Sequence, residues 1–61
     1  MTVRKDYENG QYVKIVVTDV KYINNKTYFT GNVIECSNQI WDGVDDYYTI
    51  LMDKSVSVVE V

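Results

Sequence analysis

Residues 12–36 read YVKIVVTDVKYINNKTYFTGNVIEC, and the fold of the chain turns on how that stretch is parsed. From Tyr12 onward, Val13, Ile15 and Val17 fall on one face and Lys14 and Thr18 on the other, the two-residue period of a β-strand. Val16 and Val20 interrupt the alternation, which implies that both faces of part of this strand are covered. Asn24-Asn25 then separates the run from a second one. Both asparagines tolerate positive φ, so the two runs are expected to form a hairpin with a tight turn. In the second run, Thr27 to Cys36, the residues Phe29, Gly31 and Val33 share a face, whereas Ile34 and Cys36 have the opposite parity. A parity switch beside a glycine predicts a bulge or a sharp bend near Gly31. Strands bent in this way let a small sheet curl toward a barrel.

The rest of the chain fits around this hairpin. Tyr47 to Met52 is a third β-rich run, Asp53-Lys54-Ser55 reads as a turn, and Val56 to Val61 reads as a terminal strand. Four strands follow from these runs. A fifth is expected around Ile40-Trp41, inside the irregular connection from Ser37 to Asp46, which is longer than the two to five residues usual for a hairpin loop. Residues 1–10 are polar, lack a period and end on the turn signal Asn9-Gly10. They read as a flexible N-terminal leader, with residues 11–61 as a single small domain. The expected fold is therefore all-β, a small, strongly bent antiparallel sheet or barrel. Its core is expected to contain Phe29, Val33, Ile15, Val17, Ile50 and Val58.

A long bent meander closed by a short terminal strand resembles the small barrels of the SH3-like and Sm-like group. The Sm-like element is Val13-Lys14-Ile15-Val16-Val17 followed by Phe29-Thr30-Gly31-Asn32-Val33, since Sm chains carry a strand, a turn and then an aromatic-x-Gly-x-aliphatic strand. The resemblance covers some twenty residues and implies the barrel. It departs from the family downstream of the glycine. The Sm pattern places an aspartate and an asparagine there for contact with an RNA base, and this chain has Ser37 and Trp41. RNA-base contact is therefore not carried over.

Composition narrows the function. A chain of 61 residues forms one domain and buries only about 60% of the surface its unfolded form exposes. Small domains offset that deficit with disulfides, a metal or association with another chain. The chain has one cysteine and no histidine, which leaves association, and a homo-oligomer is expected. The expected contact edge is the terminal strand Val56 to Val61, which is apolar and carries one charged side chain. The lone cysteine, the polar start Met1 to Asp6 and the lack of any apolar run longer than three residues, such as Ile15-Val16-Val17, point to a cytoplasmic protein without a membrane span. The net charge of −3 weighs against a general nucleic-acid binder, which needs a basic footprint.

Catalytic constellations are scarce. Cys36 has no histidine to activate it and sits in a β-run beside Ile34, the pattern of a small buried apolar residue. The acidic group Asp42, Asp45 and Asp46 lacks the alternate spacing of a calcium loop, and neighbouring loop carboxylates have nothing to split their pKa values for acid–base work. The chain is read as non-enzymatic, with no cofactor and no metal. The aromatics carry more information. Six tyrosines, Trp41 and Phe29 exceed what so small a core encloses. Cross-strand packing accounts for Tyr12, Tyr22, Tyr28 and Tyr48. Trp41 stands apart, in the long connection and beside acidic residues, where tryptophan commonly anchors a partner. The expected function is that of a small acidic binding module that inhibits, sequesters or adapts another macromolecule, most simply a protein. Its contact surface is Trp41, Asp42, Asp45, Asp46 and Tyr47. Short chains of this kind, poor in catalytic residues, resemble accessory proteins of phages and other mobile elements. Two alternatives stay open: a nucleic-acid binder of Sm-like or OB-like type using Lys14, Lys21 and Lys26, and an oligomer that sequesters a small nucleotide.

Overall fold

The computed structural model describes residues 1–37 and 46–61. These residues form five strands, β1 (Thr2–Asp6), β2 (Tyr12–Ile23), β3 (Lys26–Cys36), β4 (Tyr47–Leu51) and β5 (Val56–Glu60). They form one antiparallel sheet in the order β4-β3-β2-β1-β5. The hairpin read from residues 12–36 is its centre. Asn24 and Asn25 take φ of 52° and 65°, so the chain reverses in two residues between Ile23 and Lys26. Positive φ at both central positions gives the turn a twist that matches that of the flanking strands.

The parity switch is realised by two bulges. Val17 pairs with Gly31 and Asp19 with Thr30, which leaves Thr18 unpaired on β2. Lys14 pairs with Glu35 and Ile15 with Val33, which leaves Ile34 unpaired on β3. The second bulge returns Cys36 to the core side, where it packs partly buried against the core. The first bends β2 over Gly31. A Cβ at Gly31 would fall within the van der Waals envelope of the Val16 carbonyl oxygen, 2.6 Å from its carbonyl carbon and 2.9 Å from the Val17 Cα. Only glycine permits this approach.

Bulged strands curl the sheet. Val56 of β5 and Ile50 of β4 lie on opposite edge strands, a separation of about 19 Å in a flat sheet, yet both belong to one buried cluster with Val3, Val13, Ile15, Phe29 and Val33. The curl stops short of closure, because β4 and β5 do not pair with each other. The fold is therefore the strongly bent open sheet rather than a closed barrel.

Two expectations are revised. Residues 2–6 are not a leader: they form β1, paired with β2 on one side and β5 on the other, and Val3 is fully buried. One apolar residue followed by three charges gives no visible period over so short a segment, and the strands paired on both sides supply the burial. Val58 is 48% exposed and is not a core residue, and Val17 is only partly buried. Val3, Val13 and Val56 complete the core instead. β1 is the fifth strand among the described residues, and the strand expected at Ile40-Trp41 lies outside them.

Candidate functional site

The proposed contact residues divide at the boundary of the described structure. Trp41, Asp42 and Asp45 lie outside the described residues. Asp46 immediately precedes β4, and its carbonyl accepts a hydrogen bond from the Val33 N–H at 2.9 Å. That bond ties the end of the long connection to β3. Tyr47 opens β4 and pairs across the sheet with Asn32. Its ring is 69% exposed, on the face opposite the core. Tyr48, the next residue, points the other way and packs against the core. The β-alternation thus turns one tyrosine of the pair inward and the other outward. Tyr47 is held by a strand while its ring faces solvent, an arrangement that presents an aromatic at low entropic cost.

A second aromatic cluster lies where β1 meets the β4–β5 turn. The Tyr7 and Tyr48 hydroxyls are 2.8 Å apart. The Lys5 ammonium donates to the Ser55 hydroxyl at 2.6 Å and to Asp53 at 3.2 Å, and lies 5.6 Å from the centre of the Tyr7 ring. Lys5, Tyr7, Asp53 and Ser55 line a shallow recess. Burial, and then the hydrogen bond to Tyr48, push the Tyr7 hydroxyl up to about 12 from its ordinary 10.0. The Ser55 hydroxyl and backbone N–H, and then Lys5, hold the Asp53 carboxyl down at about 2.

These shifts set a pH dependence. A folded pKa raised above the unfolded value means that the folded state favours the protonated hydroxyl. The stability Tyr7 contributes is therefore fully present below pH 10 and is lost as pH rises from 10 toward 12. The Asp53 contribution has the opposite sense, present above about pH 4 and lost as pH falls toward 2. Thermal midpoints measured from pH 9 to 12 are expected to drop more in the wild type than in Tyr7→Phe, which has no hydroxyl to titrate. Parallel decline of the two proteins would remove Tyr7 from the account.

The lysines named for a nucleic-acid face do not make a basic stripe. Lys14 lies 3.9 Å from Glu35 and Lys21 lies 4.0 Å from Asp19. Lys26 stands exposed at the hairpin end. Each of the first two is thus accompanied by a carboxylate that cancels its local field. Arg4 is likewise engaged, 3.0 Å from Asp6 and 4.0 Å above the Tyr12 ring.

One surface feature had no clear signal in the sequence. The hairpin of β2 and β3 extends beyond β1, and its end exposes Tyr22 (79%) together with Ile23 and Val20. Met52, whose N–H bonds the Thr27 carbonyl, is exposed beside it. Tyr22 is therefore not a packing residue, in contrast to the sequence expectation. The Thr18 bulge carries Val20 and Tyr22 to the face of Val13 and Ile15, but β1 pairs with β2 only from Tyr12 to Val16 and does not reach them. No family model, curated protein or solved structure matches this chain.

Proposed function

We propose that the protein is a non-catalytic, acidic β-sheet module that binds another macromolecule, most simply a protein, and thereby inhibits, sequesters or adapts it. The observation that carries this reading is Tyr47, an exposed aromatic held on a regular strand just after the acidic segment of sequence that ends at Asp46. Tyrosine and tryptophan are the side chains most often responsible for interface energy. Asp46 and Tyr47 form the described part of the contact surface, and Trp41, Asp42 and Asp45 belong to the same segment of sequence. The neutralised lysines favour a protein partner over nucleic acid. The fold-level resemblance to SH3-like and Sm-like barrels is part of the same proposal, supported by a meander whose terminal strand returns to pair with β1. No helix among the described residues is long and apolar enough to cross a membrane, and the proposed location is the cytoplasm. A role among phage or mobile-element accessory proteins is the corresponding biological setting.

The test compares capture of a partner from the native host by the wild type, Trp41→Ala and Tyr47→Ala. Both variants are expected to lose capture by tenfold or more, consistent with truncation costs of ~2 kcal/mol at interface anchors, while the folded spectrum and thermal midpoint hold. A variant that folds and captures normally would remove its residue from the surface. Affinity that falls steeply with salt would instead support the nucleic-acid alternative. A small molecule retained through gentle purification would support nucleotide sequestration.

A further inference from the structure

We propose that the outer edge of β4, which pairs with no other strand among the described residues, pairs antiparallel with β4 of a second copy of this chain, with Thr49 on the two-fold axis. This goes beyond the binding-module reading and does not depend on the identity of the partner.

The Val33 N–H donates to the Asp46 carbonyl and the Met52 N–H to the Thr27 carbonyl, at 2.9 and 2.8 Å. Residues of an antiparallel strand alternate in which side their backbone groups face. With Asn32 paired to Tyr47 and Phe29 to Ile50, Tyr48 and Ile50 therefore face β3. Tyr47, Thr49 and Leu51 turn their N–H and C=O groups away from β3, and β4 pairs with no other strand among the described residues.

The other edges are blunted. On β5, Val3 pairs with Val58 and Thr2 with Glu60, so Val59 is a bulge and a carboxylate follows it. The part of β2 beyond β1 carries the Thr18 bulge and the charges Asp19 and Lys21. Bulges and charges are the usual devices that prevent edge pairing. β4 has neither: its five residues are YYTIL, and its register with β3 is uninterrupted.

Self-complementarity selects the occupant. A two-fold axis requires that one surface fit itself. With the axis at Thr49, Tyr47 stands opposite the second copy's Leu51, Tyr48 opposite its Ile50, and Thr49 opposite Thr49. Every outward N–H and C=O of the strand then finds its partner in that single register. The side-chain pairs are aromatic with aliphatic, plus Thr with Thr, combinations that stabilise neighbouring strands. Tyr47 and Leu51, both exposed on the outer face, cover each other. A strand pair of this length lies below the ~1,600 Å² of a standard interface, so the association belongs to the weak, concentration-dependent class.

The full chain is examined by sedimentation and by amide hydrogen exchange over a concentration series reaching the millimolar range. The average mass is expected to rise from 7.1 kDa toward twice that value. Exchange at Tyr47, Thr49 and Leu51 is expected to slow with concentration, while Tyr48 and Ile50, already bonded to β3, stay unchanged. Thr49→Lys and Thr49→Glu each place like charges opposite one another and are expected to weaken association at least tenfold. An equal mixture of the two is expected to restore it. Self-association would cover Tyr47, so capture is assayed in dilute protein, where the chain is a 7.1 kDa monomer with Tyr47 exposed, and its failure there counts against the binding-module reading and not against this proposal. A wild type that stays at 7.1 kDa throughout overturns the proposal, as do folded variants that associate like the wild type and a mixture of folded variants that fails to associate. Concentration-dependent slowing at Val58 instead would place the contact on β5 and equally overturn it. The exchange measurement needs no substitution, so the outcome stands even if a variant unfolds.

Discussion

Gly31→Ala is expected to unfold the domain. The added methyl would enter the space of the Val16 carbonyl oxygen and lie 2.6 Å from the carbonyl carbon. Those atoms are backbone, so no rotamer change relieves the clash. The strands β2 and β3 must separate where the Thr18 bulge bends β2, and the pairs on either side, Val17 with Gly31 and Asp19 with Thr30, are lost with it. Overpacking a core costs ~1–3 kcal/mol when side chains can shift, and more where only backbone can. A domain of this length has a total stability of ~3–9 kcal/mol at the usual per-residue values. Circular dichroism and a thermal scan of Gly31→Ala would show the result directly. A cooperative transition with the wild-type midpoint would mean that β2 does not close over Gly31, and the bend assigned there would fall.

The second large effect is at Phe29. Its ring is 8% exposed and lies between its cross-strand partners, Val20 on β2 and Ile50 on β4. Truncation to alanine removes most of the largest side chain in the buried cluster and leaves a cavity beneath the hairpin, at a cost of ~3–5 kcal/mol. Phe29→Leu, which refills part of that volume, is expected to recover part of the loss. Truncation of the exposed Val58 supplies the contrast and is expected to move the midpoint little. Denaturant titrations of the three variants check the ordering. An unchanged midpoint in Phe29→Ala would show that the ring is not a core element.

These two positions also show which kinds of information the sequence carried. Phe29, Val33 and Ile15 announced themselves because a two-residue period is a local property of a strand with one covered face. Gly31 announced the bend because a glycine at a parity switch has few other uses in a strand. The bulges themselves were less visible. One falls at Thr18 on the strand facing Gly31 and the other at Ile34, and which residue is squeezed out depends on the register of two strands together. The same limit applied to the outer strands. Val3 and Val56 are buried because β1 and β5 pair with each other and cover the ends of the core. Nothing within either segment distinguishes them from Val58, which the same pairing leaves exposed.

The candidate site divides along the same line. Tyr47 and Asp46 were legible as members of an aromatic and acidic segment. Their presentation was not, because the outward turn of Tyr47 and the inward turn of Tyr48 follow from the register with β3. The clusters formed by Tyr7 with Tyr48 and by Lys5 with Asp53 and Ser55 join residues more than forty positions apart in the chain. No local pattern encodes such a meeting.

Alternation, turn residues and one glycine thus determined from sequence alone that this is an all-β protein with a bent central hairpin, because each acts through the backbone conformation of its own neighbourhood. The tertiary structure decided the rest: that residues 2–6 are an interior strand, that the sheet curls without closing, and that β4 keeps a regular, uncharged edge. Those outcomes depend on which strands lie side by side, and a strand's neighbours, unlike its period, are not written in its own residues.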